Sequence, residues 1–365
     1  MPFLANDRMA PRTPGGATCQ GFCLSWVGWP EKHDNGKWPR HSFLPADQRP
    51  VGQLTSHLLS IQLAFRMSSL FLLAACLLLG WLVARFGHPP ATLAQNLNWW
   101  VIDVALPALV LHLVPQIRFD AHLWFLIVAL WFVFAGAWVF FSILGRALRW
   151  TRARVGALIL VCGLGNTSFI GFPLIEALHG QEGLTLAVLA DQAGCFMALA
   201  VGGTLVAALY SGHSVAPLTI VRRVVLFPPF ISLLVGVAAG LCGGWPAMAD
   251  AVFDRIGATL VPMALFSVGL QFKLHLGRQQ LPAIGLGLGW KLLLAPFIVW
   301  AAGWSIGVDG LVLTVAVLQS AMGPMVSATI LASQNDLEPP LANTILGVGI
   351  LLAFVTVPLA NLLLD

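Results

Sequence analysis

Residues 163–180 read GLGNTSFIGFPLIEALHG. The stretch lies in apolar surroundings: residues 155–175 contain no Asp, Glu, Lys or Arg, enough length for the roughly 20 apolar residues that a helix needs to cross a bilayer core. Its middle nevertheless holds Gly163, Gly165 and Gly171, the polar trio Asn166, Thr167 and Ser168, and Pro173. Pro173 lacks a backbone donor and its ring clashes with the preceding turn, while glycines tolerate unwound backbone. Such backbone is tolerated at membrane depth only where protein or a water-filled cavity surrounds it. The stretch therefore reads as an interrupted transmembrane helix.

A second stretch has the same character. Residues 318–335 read LQSAMGPMVSATILASQN, with Gln319, Ser320, Gly323, Pro324 and Ser327 inside a run, 310–335, without charge. The two are linked by an internal repeat. A shift of 155 aligns Pro107 with Pro262, Gln116 with Gln271 and Arg118 with Lys273, then Leu186 and Ala187 with Leu341 and Ala342, and Gly194 with Gly349. The same shift sets Ser320, Gly323 and Pro324 opposite Gly165, Ser168 and Phe169. One offset holding across separate helices points to duplication of a five-helix unit. Five is odd, so the copies have opposite orientation, which is the architecture of many secondary transporters.

Outward from these stretches, the chain divides into ten predicted spans, near 68–86, 93–114, 122–145, 155–178, 184–209, 224–243, 250–271, 281–304, 310–333 and 340–363. The fold class expected is an all-α polytopic membrane protein of ten helices in two inverted repeats, with helices 4 and 9 broken. The first repeat covers 67–210, a cytoplasmic loop 211–223, and the second repeat 224–365. Composition agrees. Of 365 residues, 58% are hydrophobic and 9% charged, with a mean hydropathy of +0.85, against about 25% charged in soluble domains. A soluble fold of this size could not hide that much apolar surface.

Lys and Arg in the short loops set orientation. The side reached after the first span carries Arg85, Arg146, Arg149, Arg152, Arg154, Arg222, Arg223, Lys273 and Arg278, the other side only Arg118. The basic side is expected to be cytoplasmic, with both ends of the ten-helix core outside, in a bacterial inner membrane. Residues 1–66 differ: seven Pro, six Gly, seven Lys/Arg and four Asp/Glu, with no helical period. They are expected to be a disordered tail or a non-native extension ahead of Met67, and a basic tail facing outward sits poorly with the orientation rule. Cys19 and Cys23 make a poor zinc pattern, and Cys76, Cys162, Cys195 and Cys242 fall in apolar runs as small hydrophobes. No metal site and no cofactor are expected.

Two interrupted helices at matching positions are the strongest sequence pointer to a transport site. Each break creates a helix N-terminus with free N–H groups and about half a positive charge, suited to an anion. The substrate-binding residues expected are Asn166, Thr167, Ser168, Pro173, Gln319, Ser320, Gly323, Pro324 and Ser327, joined by Lys291. Lys291 lies mid-span, where a charge costs about 2.5–3.5 kcal/mol on insertion scales. It either pairs with a carboxylate such as Asp103 or Asp191 or faces the substrate. Asp191, Asp103 and His112 are the coupling-ion or proton positions: Asp191 is either a cation site or an interfacial residue, Asp103 stands one turn before Pro107, and a lone His112 on an apolar helix is also an ordinary core histidine. Glu176 is placed near the outer mouth, and Asp254–Arg255 as an interfacial pair.

Three segments, GNTSFIGFPLIEALHG, ALPALVLHLVP and SAMGPMVSATILASQND, resemble in order those of the auxin efflux carrier family of bacterial and plant permeases, over about residues 67–365. The resemblance implies that the broken fourth and ninth helices cross, with prolines at both crossings matched by Pro173 and Pro324. It also implies transport of organic acids such as malonate, malate or auxin. The sodium–bile acid symporters are more distant relatives of similar fold. No GxSxG, HExxH or Walker A pattern is present, which argues against an enzyme and against ATP-driven transport. The expectation is a secondary carrier of a small organic anion working by alternating access. Its partners would be that anion, a proton or sodium ion, the lipid bilayer and optionally a second copy of the chain, with no nucleic acid. A sodium-coupled symporter, a passive channel and a membrane-embedded enzyme stand as alternatives.

Overall fold

The computed structural model describes residues 71–117, 122–212, 225–271 and 280–364. The expected tail 1–66, Arg118, Arg222, Arg223, Lys273 and Arg278 lie outside them. Twelve helices run through the described residues: α1 Phe71–Phe86, α2 Leu93–Gln116, α3 Leu123–Ala147, α4 Arg152–Gly163, α5 167–179, α6 181–211, α7 Pro228–Leu241, α8 Ala247–Leu270, α9 Leu281–Ser305, α10 Gly310–Ala321, α11 Val326–Gln334 and α12 Pro339–Leu364. Local chemistry sets several starts. Thr151 caps α4 by accepting from the Arg154 N–H at 3.2 Å, as N-cap hydroxyls do. Prolines open α7 and α12, where a missing N–H costs nothing. Between α5 and α6, Gly180 adopts φ 65° and ψ −160°, which a side chain would strain.

Helices α2, α3, α8, α9, α12 and the α5–α6 stretch are long and apolar enough to cross a membrane, and α1, α7 and α10 are shorter apolar helices. The protein is thus an all-helical, multi-pass membrane protein in its described residues, whose one extended pairing is an antiparallel bridge between Gly165 and Pro324. Helix α2 packs against α7 and α8, and α1 against α8, forming one bundle. Helices α3, α4, α6, α10, α11 and α12 pack among themselves with α9 in a second bundle. The first turn of α5 meets α8 from the other bundle.

Backbone rather than side chains joins α1 to α8. A Cβ on Gly80 would lie 3.0 Å from the Gly269 Cα and would collide with the Phe266 carbonyl, and a Cβ on Gly269 would collide with the Leu77 carbonyl. Small residues of this kind let transmembrane helices approach closely. Gly269→Leu is therefore expected to destabilise the protein by about 1–3 kcal/mol, the usual cost of overpacking. Thermal unfolding of the detergent-solubilised chain checks this, and an unchanged midpoint would contradict the packing.

Two helix ends related by the 155 shift carry the same contact. At the end of α2, Gln116 Nε2 donates to the His112 carbonyl at 2.9 Å. At the end of α8, Gln271 Nε2 donates to the Ser267 carbonyl at 3.1 Å. Both residues of each pair obey the 155 shift. The breaks do not. The bridge joins Gly165 to Pro324, 159 positions apart, and α5 begins at Thr167 where α11 begins at Val326, again 159 apart. The register at the breaks thus runs four residues, about one helical turn, beyond the sequence alignment. Pro324, not Ser320, stands opposite Gly165.

Candidate functional site

The fourth-span break is made by three residues. Leu164 turns extended at φ −109° and ψ 131° after α4 ends, Gly165 forms the bridge, and Asn166 sits at φ −80° and ψ 63° before the next helix starts. The ninth-span break runs from Met322, at φ −59° and ψ 146°, to Met325, at φ −80° and ψ 130°. Two reciprocal hydrogen bonds join them: the Asn166 N–H donates to the Gly323 carbonyl at 2.7 Å, and the Met325 N–H to the Leu164 carbonyl at 3.2 Å. Each break thereby satisfies backbone groups of the other, as an apolar interior demands.

Around this joint the polar side chains are fully enclosed. Asn166, Thr167, Ser168, Asp191, Gln192, Lys291, Gln319 and Ser320 are all buried. Asp191, on α6, is the hub. It accepts from the Thr167 hydroxyl, from Ser168 Oγ at 2.8 Å and from Gln192 Nε2 at 2.7 Å. Thr167 and Ser168 are the first two residues after the fourth-span break, so the carboxylate stands at the N-terminal end of α5, where negative charge is favoured. Gln319 reaches from α10 to the carbonyls of Thr167 at 3.4 Å and Ala187 at 3.2 Å, tying one break to the helices of the other. Cys195 Sγ donates to the Gly165 carbonyl at 3.2 Å.

Three polar atoms here have no hydrogen-bond partner among the described residues: Asn166 Nδ2, Gln192 Oε1 and Gln319 Oε1. Buried polar atoms are nearly always satisfied, so three orphans in one cluster leave unmet hydrogen-bonding capacity beside the joint. Beside the cluster is a cavity of about 70 Å³ lined by Ser168, Asp191, Gln192 and Ser327, with apolar walls that include Ile102 and Leu106 of α2. The rings of Phe196 on α6 and Phe227 ahead of α7 stack in the same wall, centroids 3.6 Å apart and 10° between planes. Larger crevices lie between the bundles on either side. One of about 650 Å³ runs past Gln271, Pro339 and Asn343 to Val326 and Ile350. One of about 300 Å³ is lined by Leu109, Pro173, Glu176 and Asp254.

Thus Asn166, Thr167, Ser168, Gln319, Ser320, Gly323, Pro324, Ser327, Asp191 and Lys291 gather at the joint or its cavity. Ser320 Oγ is spent on its own helix, donating to the Val317 carbonyl at 2.6 Å. Pro173 does not join them. It lies in the first turn of the α-helical part of α5, preceded by a π-helical turn over Thr167–Gly171. Pro173 faces the 300 Å³ crevice, and Leu164, Gly165 and Asn166 make the break. Asp103 sits in a π turn of α2, Val101–Ala105, outside the cavity lining. His112 is also elsewhere: its Nδ1 meets Asp250 at 2.8 Å and its Nε2 lies 3.7 Å from Asp254, clasping α2 to α8. Lys291 forms no ion pair with Asp103, Asp191 or any other described residue. Gln192 was a readable signal, a second polar residue beside Asp191 in an apolar span. Phe196 and Phe227 carried none, being two among 22 phenylalanines.

Paired broken helices, a buried polar joint and crevices between two bundles are features that a membrane transport protein would need. The chain matches the membrane transport protein family over residues 65–216 and 213–360 and belongs to that family, the auxin efflux carriers. It is similar to an uncharacterized transporter of Methanothermobacter thermautotrophicus, 26% identical over 294 residues that cover 79% of this chain and 94% of the relative. A second uncharacterized transporter, from Methanocaldococcus jannaschii, is 23% identical over 289 residues, 74% of this chain and 90% of the relative.

Proposed function

We propose that the protein is a secondary carrier of a small organic anion, a dicarboxylate or auxin-like acid, bound at the joint between the two breaks. The observation that carries this is the buried, unpartnered Asn166 amide beside two helix N-termini. Those ends are not equivalent. Asp191 already neutralises the start of α5, whereas α11 starts at Val326, its N-cap Met325 offers no side-chain cap, and the N–H groups of its first turn have no partner within the helix. Val326 borders the 650 Å³ crevice and Ser327 the smaller cavity. A substrate carboxylate would dock there, accepting from the α11 backbone, Ser327 and Asn166.

The architecture proposed is ten spans in two inverted repeats, 67–210 and 224–365, joined by the loop 211–223. Contacts between helix ends support it. Arg154 meets Glu338 at 3.0 Å, joining the links before α4 and α12. His112–Asp250 and the 2.5 Å pair of His179 with Asn361 join ends that a ten-span path puts on the other face. With the Arg-rich face cytoplasmic, the large crevice opens inward and the core ends lie outside, in a bacterial inner membrane. Access alternates as one bundle rocks against the other. Asp191 is the proposed site for a coupling proton, since among the described residues its carboxylate alone bonds side chains of a break.

The test is flux of radiolabelled malonate and malate into proteoliposomes. Saturable uptake is expected, reduced about tenfold or more by Asn166→Leu, since one lost hydrogen bond to a charged group is worth about 1.5–3 kcal/mol, and also reduced by Pro324→Leu, which alters the backbone of the bridge. Absence of saturable flux, conductance without saturation, or full flux in both variants overturns the assignment.

A further inference from the structure

Among the described residues Lys291 is the one buried cation at the joint, and the carboxylate site proposed above does not use it. Its side chain is 1% exposed and springs from a π turn of α9, Trp290–Leu294. Its ammonium is pressed against the bridge: a Cβ on Gly165 would stand 3.0 Å from Lys291 Nζ and 3.3 Å from the Gln319 carbonyl oxygen. Gly165 lies just beyond the C-terminal end of α4 and Gln319 in the last turn of α10. The positive charge therefore sits where two helix C-termini, each with about half a negative charge, come together. It does not line the cavity beside Asp191, whose carboxylate is engaged by three donors.

Half-helix C-termini and unwound carbonyls are what coordinates a coupling cation in carriers with broken helices. We propose that the Lys291 ammonium is a tethered occupant of a monovalent-cation site, so that the protein cycles without binding free sodium. This rests on reading the joint as the transport site. A lysine in this role supplies one positive charge at all stages of the cycle, and Gly165 has no side chain because the ammonium fills that space. Shortening the side chain would open space beside Gly165 and the Gln319 carbonyl oxygen, between the C-terminal ends of α4 and α10, for an ion and water to take the place of the ammonium.

The experiment is equilibrium binding of radioactive sodium to the full chain, purified in detergent in choline chloride. Wild type is expected to bind no sodium above background. Lys291→Ala and Lys291→Gln are expected to bind about one ion per chain and to gain a thermal-unfolding shift in sodium chloride that choline chloride does not give. Lys291→Arg should behave as wild type. Sodium binding by wild type overturns the proposal, as does a monodisperse Lys291→Ala that binds none. If both shortened variants aggregate in choline but are monodisperse when extracted in sodium, the proposal stands. If they aggregate in both salts, a free ion cannot replace the ammonium and the proposal falls. No transported substrate is needed, so a wrong choice of organic acid leaves this result unaffected.

Discussion

Asp191→Leu is expected to reduce transport to background and to lower the stability of the protein by a few kcal/mol. The two effects share a cause. The carboxylate accepts from Thr167, Ser168 and Gln192 inside a fully buried cluster. Leucine leaves Ser168 and Gln192 without an acceptor and Thr167 with only the Gly165 carbonyl at 3.4 Å, at about 1–3 kcal/mol for each bond lost. Against this, removing a charge from the membrane interior recovers about 2.5–3.5 kcal/mol on insertion scales. The lost hydrogen bonds outweigh that gain, and the start of α5 also loses the charge that offsets its dipole. Asp191→Asn should fall between: it keeps one good acceptor but turns an amide donor toward the donating amide of Gln192. Thermal unfolding in detergent and malonate flux measured together decide the matter. An Asp191→Leu protein with an unchanged unfolding midpoint would show that the three hydrogen bonds contribute nothing net.

The second large effect is expected at Gly349 in the middle of α12. A Cβ there would collide with Pro324 Cδ and lie 2.8 Å from Pro324 Cγ and 2.9 Å from Leu288 Cδ2. The proline ring is rigid and its residue is held in the bridge, so it cannot move aside as a flexible side chain would. Gly349→Leu should push α12 off the ninth-span break, stretch the two bridging hydrogen bonds, cost at least about 1–3 kcal/mol of overpacking and abolish flux. Gly285→Ala is the contrast. No atom stands within 4 Å of a Cβ at Gly285, so that variant should keep its flux and gain slightly in stability from the better helix former. Equal behaviour of the two variants in a flux and unfolding assay would refute the packing argument.

The breaks were legible because their chemistry is local. Glycine, proline and asparagine inside uncharged runs announce unwound backbone whatever surrounds them, and Asn166 and Pro324 are where that pattern places them. Register was not legible. Matching Pro107 to Pro262 is sound at the ends of α2 and α8, where Gln116 and Gln271 make the same bond, yet the breaks sit one turn further along. Nothing in a string of Leu, Ala and Val marks where a turn has been inserted. Pro173 is accommodated inside α5, after a π turn over Thr167–Gly171 whose contacts with Gln319 and Asp191 come from elsewhere in the chain. The pairing of Lys291 with two helix ends, and of Phe196 with Phe227, are contacts across long separations that no spacing encodes.

The two hydrogen bonds of the joint bear on how the chain is made. During synthesis Leu164 and Asn166 emerge about 160 residues ahead of Gly323 and Met325. Through that interval the Asn166 N–H and the Leu164 carbonyl lack the partners they have in the finished protein. An exposed backbone group in hydrocarbon costs several kcal/mol, so the nascent fourth span must stay hydrated, shielded by the insertion machinery, or wait as a continuous helix. The last spans to be translated therefore complete the folding of one of the earliest, and a truncated chain ending before residue 323 holds an unfinished helix rather than half a carrier.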